Sequence, residues 1–488
     1  MSSKSLKKQT VLGMIWTAAE RFGSMTMAFV SNLVLARLLL PEDFGVIGML
    51  HIFIAISGAF MIGGFGDAII QKKDTTHTDY STVFVWNMVL SIIFYAILFF
   101  AAPAIARFYN MPILCDVLRV YGLVLILVAF SVVQNAILRK QLRFKSLSIR
   151  NLVSAFCGLS VGIIMAYWGF GVWSLVGSAL VNQLMNAILV WRISSWRPSI
   201  VFDKNSFKDL FTFGGMMMLT SLIERIYTNI QGLLIGKWYS ANELGYYTQA
   251  KKLEEVPTGT LSHIVASVSF PVFSKFQNDK EKLLYGLRRN IKAITYLNFP
   301  MCILLLIIAK PLIALLYGAK WEPSVPYFQL LCIGGMIYTM NSLNGSIIKS
   351  LGKGTLYFTI SIVKRVIGLA LMFLGIKYSV RGLLVAVVLS NFINYFIYSI
   401  ANGKLLRYGI WLQLKDVFGS LLLSVFVGIV VYFLGRYLPW HRYLVMSFQV
   451  TVYVGLFLTL SSSLKMEGYS TYKEIIKQFI GHGGRKNP

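Results

Sequence analysis

The sequence predicts an all-α integral membrane protein with about fourteen transmembrane helices. Three observations carry that reading. Apolar runs as long as a bilayer is thick recur almost without pause along the 488 residues. Charged residues make up only 13% of the chain against 56% hydrophobic ones, where a soluble domain carries about 25% charge. The lysines and arginines, finally, gather in alternate short loops. β-Barrel strands would show alternating polarity over about ten residues, and these runs do not.

A hydrocarbon core of about 30 Å takes about 20 apolar residues per helix. In chain order the candidate segments centre near residues 20, 55, 92, 127, 158, 182, 222, 262, 298, 338, 366, 392, 425 and 452. The first, VLGMIWTAAERFGSMTMAFVSNLVLA, is long and interrupted by Glu20 and Arg21, so it reads as a retained helix rather than a cleaved signal. SIIFYAILFFAA, LVLILVAFSVV, ILLLIIA and GSLLLSVFVGIVVYFLG leave little choice for the third, fourth, ninth and thirteenth. The seventh and eighth are much more polar.

The 46 Lys+Arg against 19 Asp+Glu would suggest nucleic acid in a soluble protein; their placement speaks instead for a membrane orientation. Lys4, Lys7 and Lys8 share one side with Arg139, Lys140, Arg143, Lys145 and Arg150, with Arg192, Arg197, Lys204 and Lys208, and with Arg288 and Arg289. Roughly 30 cations on that face against roughly 10 opposite place both termini in the cytoplasm. Trp168, Trp173, Trp238, Trp321 and Trp440 fall at outer ends and Trp86, Trp191, Trp196 and Trp411 at inner ends, as an interfacial aromatic belt requires.

The four cysteines and five histidines are dispersed, without metal-ligand spacing. No metal or organic cofactor is expected. A phosphate-binding G-x-x-x-x-G-K-[ST] loop is also missing from the sequence, so transport would be driven by coupling to H+ or Na+.

Internal repetition sets the domain parse. LLLPEDFGVIGM follows the first helix and KWYSANELGYYTQA the seventh, aligning Gly45 with Gly245, and Glu20-Arg21 recurs as Glu224-Arg225. The expected organisation is two pseudo-symmetric six-helix lobes, residues 1–200 and 201–404, then helices 13 and 14 over 405–463 and a basic cytoplasmic tail over 464–488. An even number of helices per lobe makes the repeat parallel, with a substrate path expected between the halves.

Several collinear segments resemble a known family across nearly the whole chain. ERFGSMTMAFVSNLVLARLLLPEDFGVIGM, GFGDAIIQKKDTTHTDYSTVFVWN, AAPAIARFYN, GFGVWSLV, LIGKWYSANELGYYTQAKKLEEVPTGT, SFPVFSKFQNDKEKL and KPLIALLYGAKWEPSVPYFQLLCIGGM look like the Wzx-type exporters of colanic acid and lipopolysaccharide. These form a branch of the multidrug/oligosaccharidyl-lipid/polysaccharide flippase superfamily. The resemblance implies a two-lobed transporter that moves undecaprenyl-pyrophosphate-linked oligosaccharide repeat units across a bacterial inner membrane. Its expected partners are that lipid-linked substrate, membrane lipids and other polysaccharide-assembly proteins.

Ionised side chains at mid-membrane are costly, about 2.5–3.5 kcal/mol each on the gentlest scale, so those present need a reason. Thr17, Glu20, Ser24 and Ser31 share one face of the first helix, and Thr220, Glu224, Thr228 and Gln231 one face of the seventh. Six membrane-level cations, Arg21, Arg225, Lys251, Lys252, Lys364 and Arg365, exceed the acids Glu20, Glu224, Glu254 and Glu255. A net positive cavity would hold a diphosphate. Arg21, Arg225, Lys364 and Arg365, with Lys252, are the candidate head-group contacts, and Glu20, Glu224 and Glu255 the candidate coupling or structural acids. The bland alternative pairs these groups across helices or lets them snorkel, especially Lys251 and Arg365 near expected inner ends. His263 reads as a packing residue. A drug/cation antiporter of the same superfamily would want an acid-dominated cavity; a membrane glycan polymerase or ligase would need a catalytic constellation, and no catalytic residue is assigned.

Overall fold

The computed structural model describes residues 3–62 and 64–473, with the side chains of 3–15, 17–21, 62, 213, 263–268 and 270–271 outside that description. Glu20, Arg21 and His263 are therefore outside the described side chains. The helices are α1 Ser3–Leu38, α2 Pro41–Ile62, α3 Phe65–Gln71, α4 His77–Tyr109, α5 Ile113–Tyr121, α6 Leu123–Lys140, α7 Phe144–Tyr167, α8 Val172–Ile193, α9 Lys204–Trp238 and α10 Ala241–Lys275. They continue with α11 Lys280–Leu316, a 3-10 turn Ala319–Ser324, α12 Val325–Ser350, α13 Gly354–Gly375, α14 Val380–Leu406, α15 Ile410–Tyr437 and α16 Arg442–Ser463. Among the described residues there is no strand.

Each of the fourteen expected centres falls inside one of these helices. Among the described residues, ten helical stretches are long and apolar enough to cross a membrane: Pro41–Gln71, His77–Tyr109, Ile113–Lys140, α7, α8, α11, α13, α14, α15 and α16. Of the remaining long helices, α9, α10 and α12 are diluted by polar residues, and the described part of α1, Phe22–Leu38, is a shorter apolar helix. α9 carries Glu224 and Arg225, α10 the KKLEE cluster, and α12 Gln329, Asn341 and Asn344.

The chain forms two compact units, Met1–Gly245 and Tyr246–Pro488. In the first, helices approach through small residues, because lipid offers apolar side chains no incentive to associate and close backbone packing must do so. Gly158 and Gly162 of α7 face Ser178 of α8, where any Cβ would crowd its atoms at about 2.7–2.8 Å. At the start of α2, a Cβ on Gly45 would overlap the carbonyl of Ala241, and one on Gly245 would overlap the carbonyl of Pro41. The two motifs that the sequence aligns thus touch reciprocally through their own aligned positions.

The second unit is held by polar side chains. Asn344 of α12 and Gln413 of α15 exchange amide hydrogen bonds of 3.1 Å, and Asn402 of α14 donates to Asn344 Oδ1 at 2.7 Å. All three are buried, so one amide network joins three helices. Asp279 caps α11 by accepting from the Lys282 amide at 3.0 Å, a bond that holds its carboxyl below the usual carboxylate range. Residues 467–473, in the expected basic tail, are helical and tied to α11: Lys292 Nζ lies 2.6 Å from Glu467, and Tyr472 donates to the Ala293 carbonyl at 3.2 Å.

Candidate functional site

Charges in apolar helices divide into those whose partners are present and those whose partners are not. Lys140, the last residue of α6, belongs to the first kind. Its ammonium directs its three protons toward four acceptors, the carbonyls of Ile69, Lys72 and Lys73 and Thr75 Oγ1 at 2.9 Å. These are the carbonyls left open at the end of α3, which a cation satisfies best. Beside it Lys72 pairs with the buried Asp79 at 2.9 Å, and Asp79 forms a capping box with Thr76 at the start of α4. The string QKKDTTHTD is therefore a helix stop, a clamp and a helix start.

A second compensated site joins α11 and α15. Arg288 makes two 2.8 Å bonds to the carboxylate of Asp416, a geometry that suits the guanidinium fork. Tyr408 adds a third at 2.8 Å, and Lys292 bridges Asp416 and Glu467.

Lys364 is of the other kind. It is the eleventh residue of the 22-residue α13, so about 15 Å of helix separates it from either end. It is half-buried. Its ammonium donates to the Tyr398 hydroxyl of α14 at 3.0 Å and stands 4.1 Å from the centre of that ring. Among the described residues no carboxylate pairs with it. Lys349 and Arg365 lie near enough to act on its charge, and both repel it. Lys349 in turn sits 4.3 Å from the ring of Tyr357. Three cations and two tyrosines thus converge where α12, α13 and α14 meet. Ring faces and phenol oxygens solvate the cations weakly and leave their charge available to an anion.

The other expected residues are distributed differently. Arg365 is not near a helix end, as its neighbours in sequence suggest; it is the twelfth residue of α13 and half-buried. Arg225 and Glu224 are exposed on the surface of the Met1–Gly245 unit, and among the described residues neither forms an ion pair. In the rest of that stripe Thr220 and Thr228 are exposed, each returning its hydroxyl to the carbonyl four residues back at 2.9 Å, and Gln231 is half-buried. Next to it His51 of α2 meets Asn229 Oδ1 at 3.0 Å. Lys252 and Glu255 are exposed on α10, whereas Glu254, their neighbour, is buried. Lys251 points over the Tyr247 ring at 5.8 Å. Sequence reasoning passed over Lys349, Tyr357 and Tyr398. The signal available was slight, since IIKSLG reads as an ordinary inner-loop cation and the tyrosines as apolar-run aromatics.

Long polar helices set among apolar ones, with Lys364 lacking a carboxylate partner at mid-helix among the described residues, suit a membrane transport protein. The fold agrees. The chain superposes on the lipid II flippase MurJ in an inward closed conformation with a TM-score of 0.77, covering 96% of this chain and 100% of that one at 15% identity. The chain belongs to the polysaccharide biosynthesis protein family, whose profile matches residues 34–326. Among its relatives, the teichuronic acid biosynthesis protein TuaB of Bacillus subtilis is 27% identical over 72% of this chain and 74% of its own length. The lipopolysaccharide biosynthesis protein WzxC of Escherichia coli is 24% identical over 88% of this chain and 89% of its own. The resemblance to Wzx-type exporters that the sequence segments suggest is thus shown, and the protein is a multi-pass inner-membrane protein.

Proposed function

We propose that this protein flips undecaprenyl-pyrophosphate-linked oligosaccharide across the inner membrane by alternating access, driven by a proton or sodium gradient. The observation that carries the reading is the cation group around Lys364, with no carboxylate paired to that ammonium among the described residues, in a family of polysaccharide biosynthesis proteins. A polyprenyl tail can remain in lipid, but its diphosphate must cross a low-dielectric layer in which an unpaired anion is prohibitive. Lys364 and Lys349 supply compact charges and Arg365 a planar fork for the phosphate oxygens. Arg225, and Arg21 with it, would contact the head group from the Met1–Gly245 unit. On this reading the two six-helix lobes rock as rigid bodies, both termini face the cytoplasm, and membrane lipids receive the tail.

An antiporter for drugs or small cations is the second reading, and the local excess of positive charge around Lys364 disfavours it because like charges repel such substrates. The deciding experiment is reconstitution of the full chain in liposomes with a fluorescent undecaprenyl-diphosphate oligosaccharide. Lys364→Met is expected to slow flipping about tenfold or more, the equivalent of one charge-assisted hydrogen bond of about 1.5–3 kcal/mol. Wild-type rates in a folded Lys364→Met protein would remove the head-group role.

A further inference from the structure

We infer that Glu254 is a proton-carrying carboxyl, held as the neutral acid in this structure and exchanging its proton with water as the Tyr246–Pro488 unit changes conformation. The exchange during a cycle rests on the flippase reading; the protonation rests on geometry alone.

Glu254, Thr258 and Ser262 follow one another at four-residue intervals on one face of α10, and all three are buried. Thr258 Oγ1 lies 2.9 Å from the backbone carbonyl of Glu254 and is also in very close contact with its side-chain Oε1. A threonine hydroxyl has one proton and can donate once. If Glu254 were ionised, both neighbours would be acceptors and would have to share that single proton in a weaker three-centre bond. If Glu254 is protonated, Thr258 donates to the backbone carbonyl and the carboxyl donates to Thr258. Both contacts are then hydrogen bonds.

The surroundings suit a neutral acid. Ser262 meets Thr339 of α12 at 3.1 Å. Asn298 Nδ2 of α11 directs its two protons toward the carbonyls of Gly335 and Met336, both at 3.2 Å, and Thr339 Oγ1 at 3.3 Å. Cys302 Sγ reaches Asn298 Oδ1 at 3.4 Å. This network is satisfied without any ion. Gly335 makes the space, since a Cβ there would overlap the Glu254 carboxyl. The titratable and charged groups facing Glu254 are Tyr247, Lys251 and Glu255 on its own helix, the charges of the last two opposing each other, and the buried thiols of Cys302 on α11 and Cys332 on α12. Among the described residues no Lys, Arg or His forms an ion pair with it. A carboxylate dehydrated in this way would be strongly disfavoured, so release of the proton requires water to reach the site. That is the property a coupling group needs: it is neutral when enclosed and ionisable when opened.

Infrared titration of the full chain in lipid nanodiscs decides the protonation. Wild type should show a protonated-carboxyl band at neutral pH that Glu254→Gln removes and Glu255→Gln retains. Glu254→Asp should shift the band rather than abolish it, which settles the assignment even where the glutamine variant folds poorly. A band unchanged by both substitutions at 254 overturns the inference. In proteoliposomes with an imposed pH gradient, flipping of the fluorescent undecaprenyl-diphosphate probe should respond to the gradient in wild type and lose that response in Glu254→Gln. A retained response would overturn the carrier role. If wild type flips no probe at all, the flippase reading fails, while the infrared result still stands or falls by itself.

Discussion

Lys140 and Lys364 are the same residue in the same kind of place, a half-buried ammonium on an apolar helix, yet they are surrounded in opposite ways. Lys140 ends α6 and is enclosed by three carbonyls and a hydroxyl that α3 and its following turn leave open. Lys364 stands midway along α13 against one tyrosine, with two further cations nearby. A charge whose partners are supplied by its own fold is consumed by structure. One whose surroundings are aromatic and electropositive is, on the flippase reading proposed above, available to an arriving anion. The site of Arg288, Lys292, Asp416 and Glu467 is of the Lys140 kind, since its charges cancel within the protein.

That contrast predicts that compensated sites set stability and Lys364 sets transport. The largest stability effect is expected at Asp416→Asn, because the side chain is only 5% exposed and an amide cannot accept both arms of Arg288 and the Tyr408 hydroxyl. Thermal unfolding in detergent should register a loss of about 3 kcal/mol, the lower end for a broken buried pair. Lys140→Met should follow, with about 2 kcal/mol lost as the end of α3 loses its charged donor, while Lys364→Met leaves unfolding within about 0.5 kcal/mol of wild type. Equal destabilisation by the two lysine variants would break the comparison. Asp279→Ala sharpens it at the small end: an exposed N-cap on α11 should cost about 1 kcal/mol and leave flipping unchanged.

Much of the fold was legible because the bilayer makes the rules coarse. A run of about 20 apolar residues has few alternatives to a spanning helix, and each expected centre lies within a helix, ten candidate spans being found among the described residues. The kinship of PEDFG and ANELG was also legible, but that Gly45 and Gly245 touch each other's motif was not. Contact between segments about 200 residues apart has no local signature. Arg365 was misjudged for depth because helix ends in lipid cannot be located from a run that is apolar on both sides; α13 continues to Gly375. Glu254 and Glu255 are indistinguishable by sequence argument, and a rotation of about 100° along α10 separates a buried acid from an exposed one.

By itself, then, the sequence determined that this chain lives in a membrane, how its helices are spaced, and which family of exporters it resembles, because hydropathy and collinear motifs are one-dimensional quantities. The tertiary structure alone decided which charges are already neutralised. Whether Lys140 meets carbonyls, Lys364 meets Tyr398, or Glu254 meets Thr258 against Gly335 depends on helix phase and on neighbours distant along the chain, and the energy of a charge at low dielectric is fixed by the few ångströms around it.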